Sequence, residues 1–119
     1  MSTRRLWTIA LFGPFLAACG GAAAPTERVT SVTAAVRAAE VGGAPSNPEA
    51  SLVLKRASEG LTRAKALMED GKNEEATAVL ERAEADADLA LTLAREASAK
   101  AEAQAAVDQL KAFKQKASE

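Results

Sequence analysis

The feature of this sequence that most restricts its fold is a long repeat of small residues in the second half. Between residues 76 and 101, Ala or Leu recurs at alternating intervals of four and three residues. The positions are Ala76, Leu80, Ala83, Ala87, Ala90, Ala94, Ala97 and Ala101, called the alanine seam below. This spacing places side chains along one side of an α-helix, and small side chains let a neighbouring helix approach closely. The repeat therefore predicts a long helix packed against other helices.

Glycine and proline divide the preceding residues into two shorter helices. We expect helices over about 27–41, 48–70 and 74–116, with Thr26, Asn47 and Asn73 as their N-caps. Gly42-Gly43 should end the first helix and Gly71 the second. The apolar stripes recur every three or four residues, at Val29, Val32, Val36 and Ala39 in the first helix and at Leu54, Ala57, Leu61, Ala64 and Met68 in the second. Because the second and third helices are only a few residues apart, they must form an antiparallel hairpin.

The predicted fold is all-α: an antiparallel helical hairpin or small three-helix bundle with the third helix in the middle. Leu89, Leu91 and Leu93 should widen the buried face of that helix. It is about 64 Å long and the second helix about 34 Å, so its C-terminal half should overhang its partner. There the apolar residues shift to Ala106, Leu110, Phe113 and Ala117. The sequence leaves open whether this part folds back on the first helix, pairs with a second copy, receives another partner or frays.

The N-terminal residues have the pattern of an export signal. Arg4 and Arg5 precede an apolar run of 13 residues, Leu6 to Ala18. As a helix that run spans about 20 Å, well short of the roughly 30 Å of a bilayer core, and Gly13-Pro14 interrupts it. We therefore predict a cleaved signal peptide over residues 1–18.

The end of this signal carries the most specific motif of the chain. Leu16-Ala17-Ala18-Cys19 resembles a bacterial lipobox. The resemblance implies cleavage before Cys19, diacylglycerol on its thiol and an N-acyl chain, with residues 19–26 as a lipidated, flexible tether. Lipoprotein sorting retains proteins with Asp after the Cys in the inner membrane, so Gly20 implies the outer membrane, facing the periplasm. Thr3-Arg4-Arg5-Leu6-Trp7 also resembles an incomplete twin-arginine motif, which leaves the export route open.

Composition excludes most kinds of chemistry. The chain has no His, one Cys and a formal net charge of −1. We therefore expect no enzyme activity, metal site, small-molecule substrate or nucleic-acid partner, and no cofactor beyond the covalent acyl chains. The charged clusters are read as helix capping or solvated surface. They are Glu69-Asp70 with Glu74-Glu75, the run of Glu81, Glu84, Asp86 and Asp88, and the C-terminal Lys111, Lys114 and Lys116.

The hairpin sequence itself resembles a known family. Residues 61–76, LTRAKALMEDGKNEEA, with Val79-Leu80, Ala83 and residues 86–90 after them, are similar to an uncharacterised family of bacterial envelope lipoproteins. In that family an Ala-rich helical domain of unknown function follows a lipobox, and the resemblance covers about residues 29–110. It implies a helical fold and an envelope location, without catalytic residues. The turn also resembles a tetratricopeptide hairpin, but that architecture needs at least three repeats.

These observations favour a structural or adaptor protein. We expect a lipid anchor to hold it on the membrane while the overhanging helix contacts a protein partner or a second copy. The alternative is a periplasmic holdase, or a module that binds hydrophobic ligands with the alanine seam as a groove.

Overall fold

The computed structural model describes residues 21–118, and this part of the chain is all-α. Helix α1 spans Thr26–Val41, α2 spans Pro48–Glu69 and α3 spans Asn73–Ala117, with a short 3₁₀ turn at Ala44–Ser46. Each helix starts and ends within one residue of its expected bounds. The three helices confirm the predicted fold class, a helical hairpin with α1 packed on it.

Two of the expected helix ends have the predicted chemistry. The Asn47 side chain caps α2 by accepting a hydrogen bond from the Ala50 amide at 2.9 Å, with Pro48 in the first turn. Gly71, at the end of α2, has a left-handed φ of +74°. Its amide donates to the Met68 carbonyl at 3.0 Å, and the Lys72 amide donates to the Leu67 carbonyl at 2.8 Å. These paired bonds satisfy the last carbonyls of α2 and reverse the chain within a few residues.

Two other cap predictions are wrong. Thr26 and Asn73 are the first residues of α1 and α3, and neither helix has a capping side-chain hydrogen bond at its start. An N-cap side chain must precede the helix, with non-helical backbone angles, to reach the free amides. The Asn73 side chain instead donates to the Ala22 carbonyl at 2.7 Å. That bond ties the residues before α1 to the start of α3.

The core is built around the alanine seam. Ala76, Leu80, Ala83, Ala87, Ala90 and Ala94 are buried, with Val32 and Val36 from α1 and Val53 and Leu54 from α2. Helix α3 packs against both other helices and is the middle member, as predicted. The seam ends earlier than expected, since Ala97 is half-buried and Ala101 is exposed.

Helices α2 and α3 lie close together at Gly60. A Cβ atom built on Gly60 would lie 3.0 Å from the Ala83 Cβ. This is tighter than an ordinary van der Waals contact, so a side chain at this position would require Ala83 or its helix to shift by a few tenths of an ångström.

Two contacts along each helix fix its direction relative to α3. Arg28 at the start of α1 pairs with Glu84, and Gly42 at its end lies beside Leu91, so α1 runs parallel to α3. Arg56 of α2 pairs with Asp86 and the later Gly60 lies beside Ala83, so α2 runs antiparallel to α3. The start of α1 and the Gly71 turn lie at the same end of the bundle, called the turn end below. At the opposite end α3 continues alone, and residues 98–118, called the overhang, are exposed throughout.

Within residues 21–118, no helix has the combination of length and hydropathy needed to cross a membrane.

Candidate interaction surface

The overhang carries a second apolar stripe. Its positions follow the same alternating intervals of four and three residues. They are Ala99, Ala103, Ala106, Leu110, Phe113 and Ala117, called the outer stripe below. Leu110 is 56% exposed and Phe113 69% exposed, and Val107 beside them is 47% exposed. The overhang therefore presents an apolar surface that nothing in the described chain covers.

The outer stripe lies on the opposite side of α3 from the alanine seam. The seam positions continue past Ala101 as Gln104, Asp108, Lys111 and Gln115, which are all polar. At 3.6 residues per turn, the outer stripe is rotated from the seam by about 150°. A helix on the outer stripe would not compete with α1 or α2 for α3.

The leucine residues of α3 divide between the two faces. Leu91 and Leu93 pack against the core, as expected, and the Leu91 side chain reaches the backbone of Gly42 at the end of α1. Leu89 is 45% exposed, so the prediction that it widens the buried face is wrong. The reason is rotational, because Leu89 lies on the side of α3 that later carries the outer stripe.

The acidic run is more than a solvated surface, which corrects its sequence interpretation. Glu84 accepts a hydrogen bond from the Ser31 hydroxyl at 2.6 Å and one from Arg28 at 3.4 Å. Arg28 is also 3.6 Å from Glu81, and Asp86 pairs with Arg56 of α2 at 3.3 Å. Three of the four carboxylates therefore hold α1 or α2 against α3, and Asp88 is exposed. Periodicity could have found this pattern, since successive carboxylates point to different sides of the helix.

The charged residues at the turn end do not form a cation site. Glu69, Asp70, Glu74 and Glu75 are all exposed. Between residues 21 and 118, no group of three or more Asp, Glu, Cys or His side chains is arranged to hold a metal ion.

An open groove between α2 and α3 was not predicted from the sequence. Arg56, Arg63 and Arg82 line it above Gly60, together with Glu59 and Asp86. Because Asp86 pairs with Arg56, the positive charge of the groove is partly neutralised. The seven-residue spacing of Arg56 and Arg63 was the signal that could have placed them on one face.

Charged pairs lie on the overhang and at its border with the bundle. Lys111 lies 3.7 Å from Asp108, and Lys100 lies 2.6 Å from Glu96. The hydrogen bond and charge of Lys100 lower the pKa of Glu96, and Glu96 in turn raises the pKa of Lys100. Lys114 and Lys116 lie in the last turn of α3, where positive charge is favoured by the helix dipole.

The lipobox residues Leu16, Ala17, Ala18 and Cys19 lie outside the described residues. The described chain begins at Gly21, only two residues after Cys19, and Ala22 is hydrogen-bonded to Asn73. The described chain therefore begins close to the turn end.

These features define a class of protein: a small three-helix domain whose third helix extends well past the other two. The chain belongs to the family described as DUF4398, a domain of unknown function, which matches residues 27–112. The expected resemblance to a domain of unknown function is therefore confirmed. Neither the curated proteins nor the solved structures include a match to this chain.

Proposed function

We propose that this protein is an envelope lipoprotein that acts as a structural adaptor. In this proposal acyl chains on Cys19 hold the turn end at the periplasmic face of the outer membrane, and the overhang contacts a partner. The observation that carries the adaptor role is the exposed outer stripe on a helix that extends past the rest of the fold.

The geometry of the two ends supports this division of roles. The tether and the turn end are joined by the bond between Asn73 and Ala22, so a lipid on Cys19 would fix that end. Helix α3 is 45 residues long, or about 67 Å, so the overhang can reach well away from the anchored surface.

The holdase alternative has less support from the fold. That alternative predicts a ligand groove along the alanine seam, but the seam positions from Ala76 to Ala94 are buried against α1 and α2. Exposed Leu89 is the feature that favours it, together with the outer stripe. A holdase should bind a hydrophobic dye in the folded state, and an absence of dye binding would argue against that alternative.

Lipid attachment is tested by replacing Cys19. We expect the wild-type protein to fractionate with membranes and to have the mass of residues 19–119 plus acyl chains. Cys19→Ala should lose the lipid mass and leave the membrane fraction. Gly21→Ala is the matched control, because a Cβ at Gly21 meets no other atom. Unchanged fractionation and mass in Cys19→Ala would contradict the anchor.

The proposed sorting to the outer membrane is tested by a separate variant. If Gly20 directs the protein to the outer membrane, Gly20→Asp should move it to the inner membrane while its lipid mass stays unchanged. A protein that stays in the same membrane would contradict the proposed sorting and leave lipidation intact.

The adaptor role is tested by cross-linking in intact cells. A photoreactive side chain at Phe113 should capture a defined species, and the same group at Gln115, on the other side of the overhang, should capture much less. Capture of no protein, second copy or cell-wall polymer at Phe113 would contradict the role.

A further inference from the structure

The outer stripe has an internal symmetry that indicates its occupant. Positions equidistant from residue 108 pair a small side chain with a large one: Ala103 with Phe113, and Ala106 with Leu110. Ala99 and Ala117 form the outermost pair. From these observations we infer that the outer stripe binds the outer stripe of a second copy of this chain, running antiparallel, with a two-fold axis at residue 108.

The size pattern selects the antiparallel orientation. In a parallel pair each residue faces its own copy, so Phe113 and Leu110 would form two large layers that hold the helices apart, and the layers of Ala99, Ala103 and Ala106 would be left with gaps. Antiparallel pairing places Phe113 on Ala103 and Leu110 on Ala106 in both halves of the interface. The four central layers then each combine one large and one small side chain, which favours close packing, and Ala99 with Ala117 forms the smaller outermost layers.

The extent of the outer stripe agrees with this register. The stripe is bounded on its N-terminal side by Glu96, which occupies the preceding stripe position and is paired with Lys100. In the register that pairs large with small side chains, all six positions from Ala99 to Ala117 face positions of the other outer stripe.

The flanking residues are compatible with the same register. Glu102 of each copy lies opposite Lys116 of the second copy, which gives two pairs of opposite charge. Val107 lies close to its own copy beside the two-fold axis, and this contact covers its exposed side chain. Lys100 and Lys114 lie opposite each other, and Glu96 compensates the charge of Lys100.

Antiparallel pairing has a consequence for the anchors. It directs the two turn ends away from each other, at a separation of about 105 Å along the helix axes. On the proposed function, a lipidated dimer would lie along one membrane or connect two surfaces. In this inference the partner of the outer stripe is a second copy of the chain, and the antiparallel dimer can form without the lipid.

The test uses the full chain with Cys19→Ser, so that an introduced cysteine is the only one. Val107→Cys should be joined efficiently to its own copy by a short bis-maleimide, because the two side chains meet at the axis. Ala103→Cys is the matched control: antiparallel copies hold these residues ten positions apart, about 15 Å along the helix. Preferential linkage of Ala103→Cys would overturn the antiparallel orientation.

Sedimentation equilibrium over a range of concentrations tests the interface without a linker. The Cys19→Ser chain should show a monomer–dimer equilibrium, and Leu110→Glu should weaken it by about tenfold or more because a charge would be buried. Gln115→Glu, on the other side of the helix, should change it by less than about twofold. A monomer at all concentrations overturns the dimer. Capture of a different protein at Phe113 in cells would then leave the adaptor role standing, whereas no capture would contradict both.

Discussion

The bundle and the overhang are parts of one continuous helix and are built largely from the same residue, yet they differ in almost every physical respect. From Ala76 to Ala94 the alanines of the alanine seam are buried between α1 and α2. From residue 98 onward every described side chain of α3 is exposed. Alanine has high helix propensity in both places, so propensity supports the helix throughout, whereas close packing stabilises only the bundle. The same 4-3 spacing of small and apolar residues therefore forms a core in the bundle and an exposed surface in the overhang.

The largest expected contrast is between two leucines. Leu80 is fully buried, so Leu80→Ala should lower the free energy of unfolding by about 2–5 kcal/mol. Leu110→Ala should change it by less than about 0.5 kcal/mol at concentrations where the chain is monomeric. Urea denaturation followed by circular dichroism measures both. Equal losses in the two variants would mean that the overhang is packed like the bundle.

A second contrast concerns added volume. Gly60→Leu would place a large side chain where even a Cβ would lie 3.0 Å from the Ala83 Cβ, and should cost about 1–3 kcal/mol of stability. Ala105→Leu makes a substitution of the same kind on the exposed overhang and should be nearly neutral, within about 0.5 kcal/mol. Thermal unfolding of the pair provides the comparison. If Gly60→Leu were as stable as the wild type, the close contact of α2 with α3 would be disproved.

A smaller contrast separates two glutamates of α3. Glu84→Gln should weaken the contacts with Ser31 and Arg28 and cost about 0.5–1 kcal/mol, reduced by the partial exposure of these groups. Faster amide hydrogen exchange confined to α1 would locate the effect. Glu102→Gln in the overhang is the matched control and should leave exchange in α1 unchanged. Equal exchange in α1 for both variants would show that Glu84 does not hold that helix.

The smallest effect is a titration at the border of the two regions. Lys100 lowers the pKa of the Glu96 carboxyl below 4.5, and Lys100→Gln should return it toward that value. Because the pKa is lowered by the folded helix, the contribution of the pair is present above pH 4.5 and is lost as the pH falls through the lowered value. At high pH the same contribution is lost as the pH rises through the raised pKa of Lys100, which lies above 10.5. Carbon-detected NMR titration of Glu96 measures the shift, and an identical Glu96 pKa in the variant would contradict the pair.

Much of the fold could be predicted from local signals. The 4-3 repeat, Gly71 and the cap at Asn47 each act within a few residues, so the sequence shows them directly. Thr26 and Asn73 are each the first residue of a helix and not its cap. For Asn73 a long-range contact competes with capping, because its side chain donates to the carbonyl of Ala22, 51 positions away in the chain.

The candidate surface was only partly predictable. Leu110 and Phe113 stood out by spacing, but the same spacing describes a buried stripe, as it does at Ala83 and Ala87. Which stripe is covered depends on the lengths of α1 and α2 and on the side of α3 they occupy. The lengths and positions of α1 and α2 are properties of the assembled bundle, and the sequence near Phe113 does not indicate them.

The sequence by itself determined the helices, their bounds, the antiparallel hairpin and the lipobox motif from which an anchor is proposed. These follow from backbone propensity, turn residues and short motifs, which act over one or two turns of helix. The tertiary structure alone decided which alanines form the core, which carboxylates join the helices and where the alanine seam ends. The physical reason is burial: an alanine contributes packing energy only where another helix excludes water from it, and α2 begins at Pro48, leaving the rest of α3 exposed.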